Sequence, residues 1–273
     1  SAQTTAQVGG LDGAPSLLIS TIGIDLAGGP TQPLQFGQQG SLNGKADLVQ
    51  SAQAVGVKAD GLAAALSDRT LGIQSNTPIN IGAAGLIDAS AVLKTTAQAT
   101  TVDGSSKARQ TSSTLSALYR DPASILGIAI GADLQLNAQA SGNGNAIAAS
   151  VDSGASGVSA LVSHDLVSGI NLGEATVQAG GGATLHASAS STQQAQASNV
   201  GPLGSGGNGA AQAEVATANQ IAAATTTNIS VGGNLSGLSA IAQLAAQAGS
   251  SNITSSGISQ ASAGADVGTC TGL

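Results

Sequence analysis

The residues able to do chemistry in this 273-residue chain are few: His164, His186, a single cysteine at Cys270, fourteen acids and many hydroxyl side chains. A nucleophilic hydrolase needs Ser or Cys beside a His base that a third group orients. Only the two histidines could serve, and no Gly-x-Ser-x-Gly elbow is present. His186 alternates as a polar residue between Leu185 and Ala187, and His164-Asp165 sits in a turn-like Ser-His-Asp-Leu stretch, so both are expected at the surface. Two His and one Cys, widely separated, supply no zinc ligand set. The acids are isolated and form neither an EF-hand loop nor a Gly-Gly-x-Gly-x-Asp calcium repeat. The expectation is a chain without catalytic, cofactor-binding or metal-binding residues, and therefore not an enzyme.

Two further motifs carry little. Gly204, Gly206 and Gly209 satisfy Gly-x-Gly-x-x-Gly, but no recognisable strand precedes them and no acid follows about 20 residues on, so the segment 201–209 reads as a loop. Glycosylation sequons stand at Asn228, Asn234 and Asn252 in a region rich in Asn, Ser and Thr, where such triplets arise by chance. Cys270 has no partner for an internal disulfide and is read as a free thiol or an intermolecular link.

Composition excludes several classes outright. Seven basic residues against fourteen acids leave a net charge of -7, which does not suit phosphate backbones. One Phe and one Tyr, with no Trp, provide no platform for stacked bases and no aromatic girdles for an outer-membrane barrel. No apolar run approaches the ~20 residues of a membrane-spanning helix. Charge is also polarised: all seven bases lie at or before Arg120, balanced there by seven acids, and only acids follow. With scarce Pro and patterned apolar positions, the chain reads as folded around a thin, Ala-lined core rather than disordered. The start at Ser1 is the kind that removal of a secretory signal peptide would leave.

What must hold these residues is a repeat. Leu-Gln-Phe-Gly at Leu34, Ile-Asn-Ile-Gly at Ile79, Ile-Ala-Ile-Gly at Ile128, Ile-Asn-Leu-Gly at Ile170 and Ile-Ser-Val-Gly at Ile229 recur at spacings of 45, 49, 42 and 59 residues. Ala-Gln-Ala follows each, at Ala52, Ala97, Ala138, Ala195 and Ala246, with an extra copy at Ala211. Within a unit the period is two. From Ile128 the even positions run Ile128, Ile130, Ala132, Leu134, Leu136, Ala138, Ala140, with Asp133, Gln135, Asn137 and Gln139 between them. Strict alternation puts one set on each face of a strand, whereas a helix would spread them all round. The unit at Ile170 changes parity before Ala175, which reads as a β-bulge near Gly173 and Glu174.

The expected fold is therefore all-β, an elongated repeat array that is β-solenoid-like or built of stacked long-strand sheets. Asp60–Ser67, Thr114–Tyr119 and Ala210–Ala224 are read as short Ala-rich helices, and Arg120-Asp121-Pro122 as a turn. The boundary is placed between an N-terminal apolar segment, 1–33, and a repeat domain of about five units, 34–273. The apolar stretch Leu17–Leu26 is either the first strand of the array or a strand donated to a neighbouring subunit. Ala cores contribute little, about 0.8 kcal/mol per buried methylene, so the array needs many stacked units or neighbouring copies.

The Ile-x-Ile-Gly and Ala-rich alternating units, over about Leu34 to Asp266, resemble exported bacterial β-strand-repeat proteins, especially long cyanobacterial surface proteins. That resemblance implies an extracellular or cell-surface location, self-association and no catalysis, and it carries over no site residues. Together with the repeat it makes the expected function that of a secreted structural subunit. Such a subunit self-assembles, head to tail with copies of itself, into a filament, tube or sheath through strand pairing. No nucleic acid, membrane span or small-molecule ligand is expected. The competing reading is a monomeric surface adhesin or an ice-binding solenoid, for which the irregular Thr spacing is a poor match.

Overall fold

A computed structural model describes residues 2–11, 15–26, 34–36, 38–58, 60–75, 79–120, 128–130, 133, 135–151, 158–171, 176–179, 184–200, 210–223, 228–231, 239–253 and 258–267. The chain winds in successive coils, each made of two long strands and one short one. The first coil is β1 (Ala2–Leu11), β2 (Ser16–Leu26) and β3 (Leu34–Phe36); the second is β4 (Ser41–Val57), β5 (Gly61–Ser75) and β6 (Ile79–Ile81). The third is β7 (Leu86–Val102), β8 (Ser106–Arg120) and β9 (Ile128–Ile130), and the fourth β10 (Gln135–Val151), β11 (Val158–Asn171) and β12 (Thr176–Ala179). The fifth is β13 (Thr184–Val200), β14 (Ala210–Ala223) and β15 (Asn228–Val231), before β16 (Ser239–Ile253) and β17 (Ile258–Val267) begin a sixth. Each strand pairs in parallel with its counterparts in the adjacent coils, the outermost strands of each sheet with one alone. The result is a β-solenoid with two six-stranded sheets and one five-stranded sheet as its walls.

Alternation dictates the packing. In β4 and β10 every second side chain is buried, and the ladders so formed run along the solenoid axis. One inner row reads Ala46, Ala91, Ala140, Ala189 and another Ala52, Ala97, Ala146, Ala195, all essentially inaccessible to solvent. Methyl-sized side chains line the corner where the first two sheets converge, joined by Ala63, Ala65, Ala108 and Ala160 from the second sheet. Larger side chains, Leu48, Leu93, Leu115 and Val167, fill the space farther from that corner. A wedge-shaped interior explains why the core is Ala-rich without being loose.

Beyond that wide zone the walls close again. A Cβ on Gly72 of β5 would stand 2.5 Å from the backbone oxygen of Ser90 in β7, and one on Gly23 would collide with the backbone carbonyl of Lys45 in β4. Gly72 lies between the Leu71–Ser116 and Ile73–Leu118 pairs, and Ala117 takes its place one coil on, so the pinch is tightest over the first two coils.

The corners are built on left-handed backbone. Gln39, Ala84 and Asp133 have φ of 58°, 56° and 57° at successive turns into the first sheet, and Lys58 and Asp103 have 57° and 56° at turns out of it. These turns stack by hydrogen bonds from Gln39 N to Ala83 O at 2.9 Å and from Lys58 N to Val102 O at 2.8 Å. The Asp60 carboxylate accepts the Ser105 N–H at 2.8 Å, and hydrogen bonds from Ser105 hold its carboxyl below the usual carboxylate range. An exposed alanine at φ 56° is sterically strained, so Ala84→Gly is expected to raise the unfolding free energy by about 0.5–1 kcal/mol. Urea denaturation of the two proteins checks this; a loss of stability would contradict the left-handed corner.

Several sequence expectations are corrected. Of the proposed helices over Asp60–Ser67, Thr114–Tyr119 and Ala210–Ala224, residues 61–67, 114–119 and 210–223 are strand, within β5, β8 and β14, and Ala224 lies outside the described residues. Alanine's helix preference is a weak prior that burial between two sheets overrides. The fourth short strand is not at Ile170, which ends β11 beside Leu118, but at Val177–Ala179, paired with Ile128–Ile130. The parity change after Ile170 thus accompanies a move from the second sheet to the third, and the proposed bulge at Gly173 and Glu174 lies outside the described residues. Ala52–Ala54, Ala97–Ala99 and Ala195–Ala197 do share rows, whereas Ala138–Ala140 aligns with Ala89–Ala91 instead. Arg120 closes β8; Asp121-Pro122 and the loop 201–209 lie outside the described residues. Leu17–Leu26 falls in β2, which pairs with β5 of the same chain.

Candidate functional site

The residues with chemical potential are scattered by this fold. His186 is exposed on the outer face of β13, as expected, but His164 is not at the surface. It is 0% exposed, on the inner face of β11, because Val158, Ala160, Val162 and His164 are successive inward positions. Its Nδ1 and the Ser191 hydroxyl lie 2.7 Å apart, and Gln193 Nε2 donates to the same hydroxyl at 3.0 Å. Two glycines make the room: a Cβ on Gly142 would stand 2.9 Å from the His164 ring, and one on Gly144 would collide with the Gln110 carboxamide. Burial pushes the His164 pKa down to about 4, so the ring is neutral at physiological pH.

A Ser–His pair at 2.7 Å has the spacing of a nucleophile and its base, but here both side chains are buried between two sheets and, among the described residues, no acid hydrogen-bonds to the pair. His164 Nε2, the Ser112 hydroxyl and both polar atoms of the Gln110 amide make no hydrogen bond among the described residues. The arrangement is a buried polar section of the core. Sequence reasoning missed it because Ser-His-Asp reads as a turn. The usable signal was parity, with the two inner glycines of Ser-Gly-Asn-Gly-Asn-Ala as its complement. Among the described residues no cluster of three or more His, Cys, Asp or Glu is placed to hold a metal. Among them, too, no helix is long and apolar enough to cross a membrane. Asn228 lies in β15 and Asn252 in β16, beside buried Asn199, while Asn234 and Cys270 lie outside the described residues.

The features with interaction potential are the two ends. At one end β1, β2 and β3 are the outermost strands of the three sheets; at the other they are β16, β17 and β15. Long edges are normally blunted by Lys, Pro or charge, yet β1 and β16 contain no charged residue and no Pro, and β2 and β17 carry one acid each, Asp25 and Asp266. The first coil is also incompletely covered. Ile22 and Ile24 are half-buried, whereas their neighbours one coil inward, Leu71 and Ile73, are fully buried. A second apolar feature runs along the side: Val57, Val102, Val151 and Val200 stack in one outward row, 38–61% exposed. Stacked β-branched side chains stabilise neighbouring parallel strands by covering one another, which accounts for that row. No protein-family model, curated protein or solved structure matches the chain.

Proposed function

We propose that the protein is a non-catalytic structural subunit that assembles end to end, copy upon copy, into an extracellular or cell-surface filament. The observation that supports this most is the pair of long, nearly uncharged parallel edges at the two ends, one of them backed by the half-covered Ile22 and Ile24 side chains. An added copy continues both six-stranded sheets at once and covers the first coil as the second coil is covered. Burial of such side chains contributes about 1.5–3 kcal/mol each when complete, enough for several together to exceed the cost of association. The secreted location follows from the Ala-rich strand-repeat texture and the resemblance it carries.

Negative-stain electron microscopy and sedimentation velocity of the purified chain over a range of concentrations test the reading. Unbranched filaments that lengthen with concentration are the expected result. Discrete single-chain particles under all conditions would overturn it and favour a monomeric adhesin, acting through the polar outer face of the first sheet where Ser51, Thr96, Asn145 and Gln194 form a row.

A further inference from the structure

The second sheet contains an irregularity that distinguishes its terminal strands from its inner ones. Between β2 and β5 the pairing runs Ile19 with Ser67 and then Thr21 with Thr70, so β5 has one residue more than β2 at this point. The four inner strands keep that extra residue in register: Ser67 to Thr70 matches Ser112 to Leu115, His164 to Val167 and Thr217 to Gln220. At the far end it is lost again, because Thr217 pairs with Ala265 and Gln220 with Val267. Both outermost strands, β2 and β17, therefore lack the bulge that every inner strand shares.

We infer that the partner of the solenoid's first coil is the last coil of a second copy of this chain, joined in one register in which β17 lies against β2. The inference rests on the assembly reading above and specifies its junction. Following the rows through the sheet, Ser262 to Val267 of one copy fall opposite Ser16 to Thr21 of the next. Ala263 meets Leu17, Ala265 meets Ile19 and Val267 meets Thr21, with no residue left over on either side. In the first sheet the same continuation sets Ala242 to Ser251 of β16 against Ala2 to Leu11 of β1, ten positions of uncharged strand. A slip of one residue turns every inner position outward, so both sheets demand the same register. Inner strands such as β5 and β14 do not match β2 and β17 without a bulge. The bulge thereby makes the two ends better partners for each other than either is for an internal edge.

The test is compensatory insertion in the full chain. One alanine inserted between Ser20 and Thr21 gives β2 the same residue count as β5; one inserted between Asp266 and Val267 does the same for β17 against β14. Each single insertion improves the match inside the subunit and spoils the junction, so the critical concentration for assembly is expected to rise about tenfold or more while the urea midpoint of the unassembled chain holds or rises. The double insertion is expected to restore assembly to near the parental value. Single insertions that assemble like the parent, or a folded double variant that does not recover, would overturn the register while leaving end-to-end assembly standing. A parent chain that forms no filament overturns both. Cross-linking offers a readout independent of insertion: in a Cys270→Ser background, Ser20→Cys with Asp266→Cys is expected to form intermolecular disulfides in filaments. Leu18→Cys with Asp266→Cys, two positions out of register, is expected not to. The reverse pattern would overturn the register.

Discussion

Replacing Gly72 by alanine is expected to lower the unfolding free energy by about 3 kcal/mol, among the largest effects of any single methyl in the molecule. The added Cβ would lie 2.5 Å and 2.9 Å from the oxygen and carbon of the Ser90 carbonyl and 2.7 Å from the Ala117 oxygen. All three are backbone atoms held by sheet hydrogen bonds, so relief requires two walls of the solenoid to separate. Gly142→Ala is the useful comparison, since its Cβ meets the His164 ring and the Leu115 side chain, which can turn aside. A cost of about 1–2 kcal/mol is expected there. Urea unfolding of both variants checks the order; equal losses would mean that the sheets are not pinched at Gly72.

Acidification is expected to remove about 3 kcal/mol of stability between pH 6.5 and pH 4 through His164 alone. The ring titrates near 6.5 in the unfolded chain and near 4 in the fold, where burial disfavours the charged form. In that window the unfolded state binds the proton and the native state does not. The contribution is therefore fully present above about pH 6.5 and is lost progressively as pH falls towards 4, at about 1.4 kcal/mol per unit. The ring's hydrogen-bonding neighbour Ser191 and the adjoining Gly142 carry no charge that could offset this. His164→Gln keeps a polar side chain of similar size and removes the titration, so its urea midpoint should be nearly flat over the same range. A wild-type midpoint that does not fall between pH 6.5 and 4.5 would place His164 in contact with water.

Much of the architecture is legible in the sequence, and for one reason: side-chain period. The alternation from Ile79 to Ala99 contains both β6 and most of β7, and the Ile-x-Ile motifs at Ile79 and Ile128 do pair in one sheet. The fourth unit was misplaced because Ile170 has the right local sequence in the wrong strand, in the row of Ile73 and Leu118. Sheet identity is a matter of long-range pairing that a four-residue motif does not encode. An Ala-rich segment such as Asp60–Ser67 reads as helix because alanine serves helices and narrow sheet interfaces alike, and only the facing wall decides. The buried His164 was hidden for a related reason: its tolerance depends on Gly142 and Gly144, twenty or more residues away on another wall. The terminal strands' missing residue is visible only once the rows are aligned through all six coils.

Helical reconstruction of the filaments tests the central claim most directly. In-register stacking of six coils at about 4.8 Å each sets an axial rise of about 29 Å per subunit, with strands perpendicular to the filament axis and the two six-stranded sheets unbroken between copies. A rise near that value, with density for β17 continuous into β2 of the next copy, is the predicted result. Filaments with strands along their axis, or particles that remain single chains at every concentration, would contradict the account.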